Sequence, residues 1–201
     1  MDIEVRTLTA EEKPAAGAIA GRALSDNPTF RWAAGDDALA RVGGCLDLFV
    51  GFVDGLADPQ LGAFLGGHVV GVCGAAPPDA CIGAIAPAEL RTPPTEIGGP
   101  GDDSRALLVW SLFCGHDLEE RHWHLGPVSV EPVLQGHGVG AKLLRPFCER
   151  MDDEGEIVWL ETDKPGNVVF YRRHGFEVVE EVTAPEADDA FTTWFMRRAP
   201  R

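Results

Sequence analysis

The sequence predicts an α+β fold, one domain on a sheet of about seven strands, and three observations carry that expectation. Segments that alternate apolar and polar residues are interleaved with longer ones whose apolar residues recur at helical spacing. Two short strands flank a Gly66-Gly67 turn and make a hairpin. Between His122 and Thr162 a strand, a glycine-rich turn, a helix and a second strand follow in order, which makes a βαβ unit with a right-handed crossover. At 201 residues, with no Ser/Gly-rich linker or charge block, residues 1–201 read as a single domain.

Ile3, Val5 and Leu8, with polar residues between them, predict an opening strand, and Thr9-Ala10-Glu11-Glu12 has the form of a capping box. The helix that follows runs through Ala15 to Leu24 and stops near Ser25-Asp26-Asn27-Pro28. Leu39, Val42, Leu46, Phe49, Val50 and Val53 share one face of a helix from Asp37 to about Gly55. Leu61 to Leu65 and Val69 to Ala75 are the hairpin strands. Pro and Gly make most of residues 77–101 loop, with a short helix around Cys81 to Leu90. Asp103 to Glu120 reads as a helix, His122 to Val130 as a strand, Gly138 to Met151 as a helix and Ile157 to Thr162 as a strand. A short helix from Val168 to His174 precedes two closing strands, Phe176 to Val182 and Phe191 to Met196. Pro146 lies well past the first turn of its helix, removes a backbone bond to Lys142 and predicts a kink.

The strand Val128-Ser129-Val130 feeds the turn Gln135-Gly136-His137-Gly138-Val139-Gly140-Ala141, which opens a helix. Three glycines at alternate positions let the backbone approach an anion, and the first N–H groups of a helix have no intrahelical acceptor. The segment therefore reads as a phosphate cradle. It satisfies the G-x-G-x-x-A pattern of dinucleotide folds, with Glu161 at a suitable distance beyond. Context opposes that fold, because the pattern comes after two-thirds of the chain and too little remains for a doubly wound sheet. A Walker loop fails because Gly140 and Lys142 are not adjacent.

Gln135-x-x-Gly138-x-Gly140, after a Val-Ser-Val strand and before a helix, resembles the acetyl-CoA-binding motif of the GCN5-related N-acetyltransferase family. Leu160-Glu161-Thr162, then Asn167 through Tyr171 to Gly175-Phe176, resembles that family's next signature. The two motifs cover about residues 122 to 182. Within the family the chain resembles the puromycin-acetyltransferase type, on Asp26-Asn27-Pro28, Phe30, Trp32, His122-Trp123-His124-Leu125 and Leu160-Glu161-Thr162. The resemblance implies an α/β/α layered fold with a mixed, mostly antiparallel sheet and helices on both faces. It also implies transfer of an acetyl group from acetyl-CoA, as cosubstrate, to a primary amine by direct attack in a ternary complex. Residues 1–120 would then form mainly the acceptor side and 122–182 the acetyl-CoA-binding core.

By the same resemblance, the pantetheine arm pairs with the strand holding Val128, Ser129 and Val130, where a backbone N–H binds the thioester oxygen. The pyrophosphate lies on the amides of Gln135, Gly136, His137, Gly138, Val139, Gly140 and Ala141. Asn167 holds the pantetheine region, and Tyr171, the chain's single tyrosine, protonates the departing thiolate. His137 stands where the family often has Lys or Arg, so coenzyme affinity would lean on Lys142, Arg145, Arg172 and Arg173. His124 and Glu161 are the candidate general bases. Phe30, Trp32 and Trp110 are candidates for an apolar acceptor wall. Plainer readings stay open: Tyr171 as a core aromatic beside Phe170 and Phe176, Asn167 as a helix cap, Glu161 as a strand-end carboxylate, His124 as a satisfied histidine.

A net charge of -15 argues against sequence-independent nucleic-acid binding and is compatible with a cationic substrate. Cys45, Cys73, Cys81, Cys114 and Cys148 form no C-x-x-C pair and suit a reducing cytosol as small hydrophobes, without disulfides. His122 and His124 alternate on one strand, but two ligands without a third at compatible spacing make no metal site, so no metal is expected. The run Asp152-Asp153-Glu154-Gly155-Glu156 reads as a solvated helix end. Met1-Asp2-Ile3-Glu4 lacks the basic start of a signal peptide and no apolar run spans a bilayer, so a cytoplasmic location is expected. The expected partner is a small-molecule amine, with a homodimer also open. A protein N-terminal or lysine acetyltransferase, and a non-catalytic acyl-CoA sensor, are the alternative functions.

Overall fold

The computed structural model describes residues 1–57, 59–185 and 190–201. Strands β1 (Glu4–Thr7), β2 (Leu61–Leu65), β3 (His68–Ala76), β4 (Trp123–Val130), β5 (Val158–Thr162), β6 (Glu177–Ala184) and β7 (Phe191–Arg198) form one sheet in the order β1-β2-β3-β4-β5-β7-β6. The β4–β5 pair is parallel and every other pair is antiparallel. This is the mixed, mostly antiparallel sheet that was expected. Gly66 and Gly67 have φ of 58° and 82°, so the hairpin turn needs residues without a Cβ at both places.

Helices cover both faces. On one, α1 (Lys13–Leu24) and α3 (Ala38–Gly55) bury Ala16, Ala20 and Val53 against Phe64 and Val72. The strand alternation turns Cys73 to the opposite face, where Leu143, Leu144 and Phe147 of α7 (Val139–Glu154) form the larger core with Leu125, Val158 and Leu160. Pro146 lies inside α7, and the helix runs on through it. Its end is set by Gly155, at φ 68°, whose N–H bonds Asp152 while that of Glu156 bonds Met151. The acidic run there is not merely solvated. Asp152 accepts from the guanidinium of Arg198 at 2.6 Å, and Arg198 is 3% exposed.

Three element boundaries differ from expectation. Helix α1 stops at Leu24 as expected, but a further helix that was not expected, α2 (Pro28–Ala34), starts at once, because Pro is tolerated at the first helical position. The region around Cys81 to Leu90 holds two single turns, α4 (Ile82–Ile85) and α5 (Ala88–Arg91), separated at Ala86-Pro87. Helix α6 (Asp103–Gly115) ends five residues before Glu120, and the freed Asp117 turns inward. The capping box forms in part: Glu12 accepts from the Thr9 N–H at 2.8 Å and also pairs with Arg6. All five cysteines are buried and free. Among the described residues no helix is long and apolar enough to cross a membrane.

Candidate active site

Parallel pairing of β4 with β5 is limited to Trp123 with Val158 and His124 with Trp159. Beyond those rungs the two strands leave each other, and the rest of that edge of β4 has no strand partner. Against β3, Ala75 pairs with Leu125 and Cys73 with Val128, so β4 carries an extra residue at Gly126-Pro127 and bulges. The N–H of Glu131 bonds Val70 of β3 at 2.9 Å, and strand alternation then turns the N–H groups of Val128 and Val130 to the free edge. An extended chain can add there as another strand. Ser129, between them, is buried and points its backbone to β3.

The turn before α7 is built for close approach. Gly136 and Gly138 have φ of 76° and 80°, which L side chains adopt only with strain. Lys142 makes the first helical bond, to Gly138 at 3.2 Å, so Val139, Gly140 and Ala141 present N–H groups with no intrahelical acceptor. Gln135 is a partial correction. Its N–H is engaged by Pro132 at 3.3 Å and its amide donates to the Val130 carbonyl at 3.1 Å, so it braces the turn from behind. His137 is exposed, with Nδ1 held by the Gln135 carbonyl at 2.9 Å. Lys142, Arg145, Arg172 and Arg173 are exposed and, among the described residues, pair with no carboxylate.

Helix α8 (Pro165–Arg173) follows β5 and brings Asn167 and Tyr171 to the gap between the strands. Asn167 does not cap its helix. Lys164 holds the cap position, and the Asn167 amide donates to Thr162 Oγ1 at 3.0 Å. The Tyr171 ring packs edge-on against Phe170 and Phe176, at 5.1 and 5.5 Å, while the residue also lines the cavity. Tyr171 is thus a core aromatic that also faces the cavity. Burial raises the Tyr171 hydroxyl well above its ordinary value, so it keeps its proton at any working pH.

The parallel rungs bring the two candidate bases together. His124 Nε2 lies 2.6 Å from Glu161 Oε2, and both residues line the cavity. His124 is 7% exposed, whereas the Glu161 side chain keeps 24% of its surface. Behind His124, Nδ1 lies 3.0 Å from Cys81 Sγ and 3.3 Å from Asp117 Oδ1. Asp117 Oδ1 is also 3.1 Å from His122 Nε2, and Cys81 Sγ donates to Asp117 Oδ2 at 3.1 Å. The histidine pair that stood alone in the sequence thus meets two further groups, from a loop and from the end of α6. No local pattern could have announced them, because Cys81 is 36 residues from Asp117 and 43 from His124.

These contacts shift the cluster's protons. Burial opposes charge on His124, but the Glu161 carboxylate and the close approach of Asp117 and Cys81 raise it well above its ordinary value. His122 is raised to about 9 against the same burial penalty, chiefly by Asp117. Burial pushes Asp117 up, yet His122 and His124 hold it well below the carboxylate range.

A cavity of about 420 Å³ runs from His124, Gly126 and Val128 to Tyr171 and is walled by α2, α3 and α6. Phe30, Phe49, Phe52, Trp110 and Phe113 line it. Trp32 does not: it is core, packed on Phe191 at 5.0 Å with the Arg105 guanidinium over its ring. The wall is fastened to the sheet by buried Asp163, which accepts from Asn27 Nδ2 and from the Thr29 N–H at the start of α2, both at 2.9 Å.

Residues 26–176 match the acetyltransferase (GNAT) family. A mycothiol acetyltransferase from Mycobacterium sp. (strain JLS) is 33% identical over 99 residues, 43% of this chain and 32% of that enzyme, so the chain spans only about a third of that relative's length. Among solved structures, the histone acetyltransferase HPA2 and related acetyltransferase from Corynebacterium glutamicum superposes with a TM-score of 0.69 at 22% identity, covering 100% of this chain and 98% of that one. Drosophila melanogaster polyamine N-acetyltransferase gives 0.66 at 17%, covering 98% and 100%. The yncA protein of Salmonella typhimurium, solved with acetyl-CoA, gives 0.57 at 14%, covering 100% and 95%. At such identities the likeness is one of fold.

Proposed function

The chain belongs to the acetyltransferase (GNAT) family, and from that premise we propose that it moves the acetyl group of acetyl-CoA to the primary amine of a small molecule with a large apolar body. The observation that carries this reading is one continuous cavity with aromatic walls at one end and Glu161, Tyr171 and the free edge of β4 at the other. A protein terminus or lysine would suit an open groove, whereas α2, α3 and α6 enclose this space. A sensor would have no need of a proton donor at Tyr171.

In this reading the turn from Gly136 to Ala141 holds the pyrophosphate with backbone N–H groups, helped by the unpaired cations of α7 and α8. The Val128 N–H polarises the thioester carbonyl. Glu161, the more accessible of the pair, takes a proton from the ammonium, directly or through one water. His124 is a positioning residue that fixes the carboxylate by its Nε2–H. The neutral nitrogen attacks the carbonyl carbon, the carbon–sulfur bond breaks, the thiolate takes the Tyr171 proton, and the second proton of the acylated nitrogen returns to the tyrosinate through water, leaving a neutral amide and coenzyme A. Glu161 and Asp163, both lining the cavity at the end of β5, also favour a cationic acceptor, in keeping with the net charge of -15.

The test is thiol release from acetyl-CoA with a panel of primary amines. Arylalkyl and long alkyl amines are expected to exceed polyamines and peptide N-termini in kcat/KM. Release with peptides alone would overturn the acceptor assignment, and no release with any amine would overturn the activity.

A further inference from the structure

We propose that Cys81, Asp117, His122 and His124 bind a zinc ion in a closed four-ligand site behind Glu161. Cys81 Sγ, an Asp117 oxygen, His122 Nε2 and His124 Nδ1 all lie within 4.8 Å of one another. Tetrahedral zinc, with bonds of about 2.0 to 2.3 Å, spaces its ligand atoms roughly 3.3 to 3.8 Å apart. The neighbouring pairs here stand at 3.0 to 3.3 Å, so the side chains need move only slightly to admit the ion. One thiolate, one carboxylate and two imidazoles form a donor set that zinc accepts.

The outward contacts point the same way. Each histidine gives one nitrogen to the centre and places the other against an acceptor: His122 Nδ1 on the Glu120 carbonyl at 2.8 Å, His124 Nε2 on Glu161 at 2.6 Å. That arrangement fixes the tautomer of metal-bound imidazoles. Asp117 Oδ1 and His122 Nε2 are buried and 3.1 Å apart, yet neither has a hydrogen-bond partner. Buried polar atoms are rarely left so. Gly83 makes room, since a Cβ there would collide with the Asp117 carboxylate. A second cavity of about 380 Å³, lined by Gly83, Asp117 and His122, gives the ion a way in.

With all four positions filled by protein, the ion is structural. It ties the loop after β3 and the end of α6 to β4, and holds the His124 Nε2 proton on Glu161. A nucleophilic role for Cys81 is excluded by its position, since it is fully buried and does not line the acceptor cavity. The site stands on these four residues and does not depend on the acceptor.

The test measures metal in the full, tag-free chain. Elemental analysis after desalting is expected to give close to one zinc per chain. Cobalt(II) in its place should show the strong visible bands of a tetrahedral site and a thiolate-to-cobalt charge-transfer band. Cys81→Ser should abolish the charge-transfer band, His122→Gln should weaken zinc binding by more than about 100-fold, and Glu161→Gln, acting through His124, by about 10- to 100-fold. No retained zinc together with a six-coordinate cobalt spectrum would overturn the proposal. So would bound metal whose affinity and spectrum ignore both Cys81→Ser and His122→Gln.

Discussion

Replacing Tyr171 by Phe separates chemistry from architecture. The ring sits between Phe170 and Phe176, at 5.1 and 5.5 Å, and those contacts survive the change. The hydroxyl reaches the cavity and, among the described residues, bonds no protein group, so its removal strands no buried partner. Folding stability should therefore move by less than about 0.5 kcal/mol. The rate should not be spared, because proton delivery by a placed acid contributes about 10²- to 10⁴-fold, or roughly 3 to 5 kcal/mol of barrier. Burial holds the hydroxyl protonated well above its ordinary value, so the wild-type rate should show no alkaline fall from this group up to about pH 10. The assay is steady-state thiol release at saturating acetyl-CoA from pH 6 to about pH 10, with coenzyme affinity measured separately. A kcat within about threefold of wild type across that range, with the fold intact, would refute the assignment.

Glu161→Gln should lower kcat/KM for the amine by about 100-fold near neutral pH, and the deficit should shrink in alkali where the amine is already neutral. A loss that is constant with pH would argue against a base at this position. Gly138 has φ 80°, so Gly138→Ala is expected to cost about 1 to 2 kcal/mol in the turn and to weaken acetyl-CoA binding in calorimetry while the amine KM stays put. Asp152→Ala leaves Arg198 buried with only the His174 carbonyl at 3.0 Å, and denaturant titration at pH 7 should show a loss of about 2 to 3 kcal/mol. Arg198 holds the Asp152 carboxyl below its ordinary value, so this stability is present above about pH 4 and fades as acid protonates the wild type, closing the gap between the two proteins.

The elements with strong local signals were legible in the sequence. The glycine pair at Gly66-Gly67 and the apolar stripe of α3 fixed the hairpin and the long helix, because turn chemistry and helical period act within a few residues. Helix α2 was hidden by Asn27-Pro28, a dipeptide that can end one helix or begin the next. The choice is made by Asp163, which caps the Thr29 N–H from 134 residues away. Trp32 and Trp110 looked alike as wall candidates, yet tertiary packing sends Trp32 into the core and Trp110 to the cavity.

The residues proposed for the donor side follow the same rule. Gly136, Gly138, Asn167 and Tyr171 lie in two contiguous motifs and could be named in advance. Gln135 was named too, but its turn-bracing bonds were not foreseeable from spacing. His124 and Glu161 were separate candidates, and only the parallel register of His124 with Trp159 brings them to 2.6 Å. Cys81 and Asp117 left no signal, since one lies in a Pro/Gly-rich loop and the other beyond an overestimated helix.

The proposed direct transfer in a ternary complex leaves its mark on the initial-velocity pattern. With acetyl-CoA and an arylalkylamine varied together, double-reciprocal lines should intersect, because both substrates must occupy the one cavity before the acetyl group moves. Parallel lines, the mark of an acetylated enzyme intermediate, would contradict it.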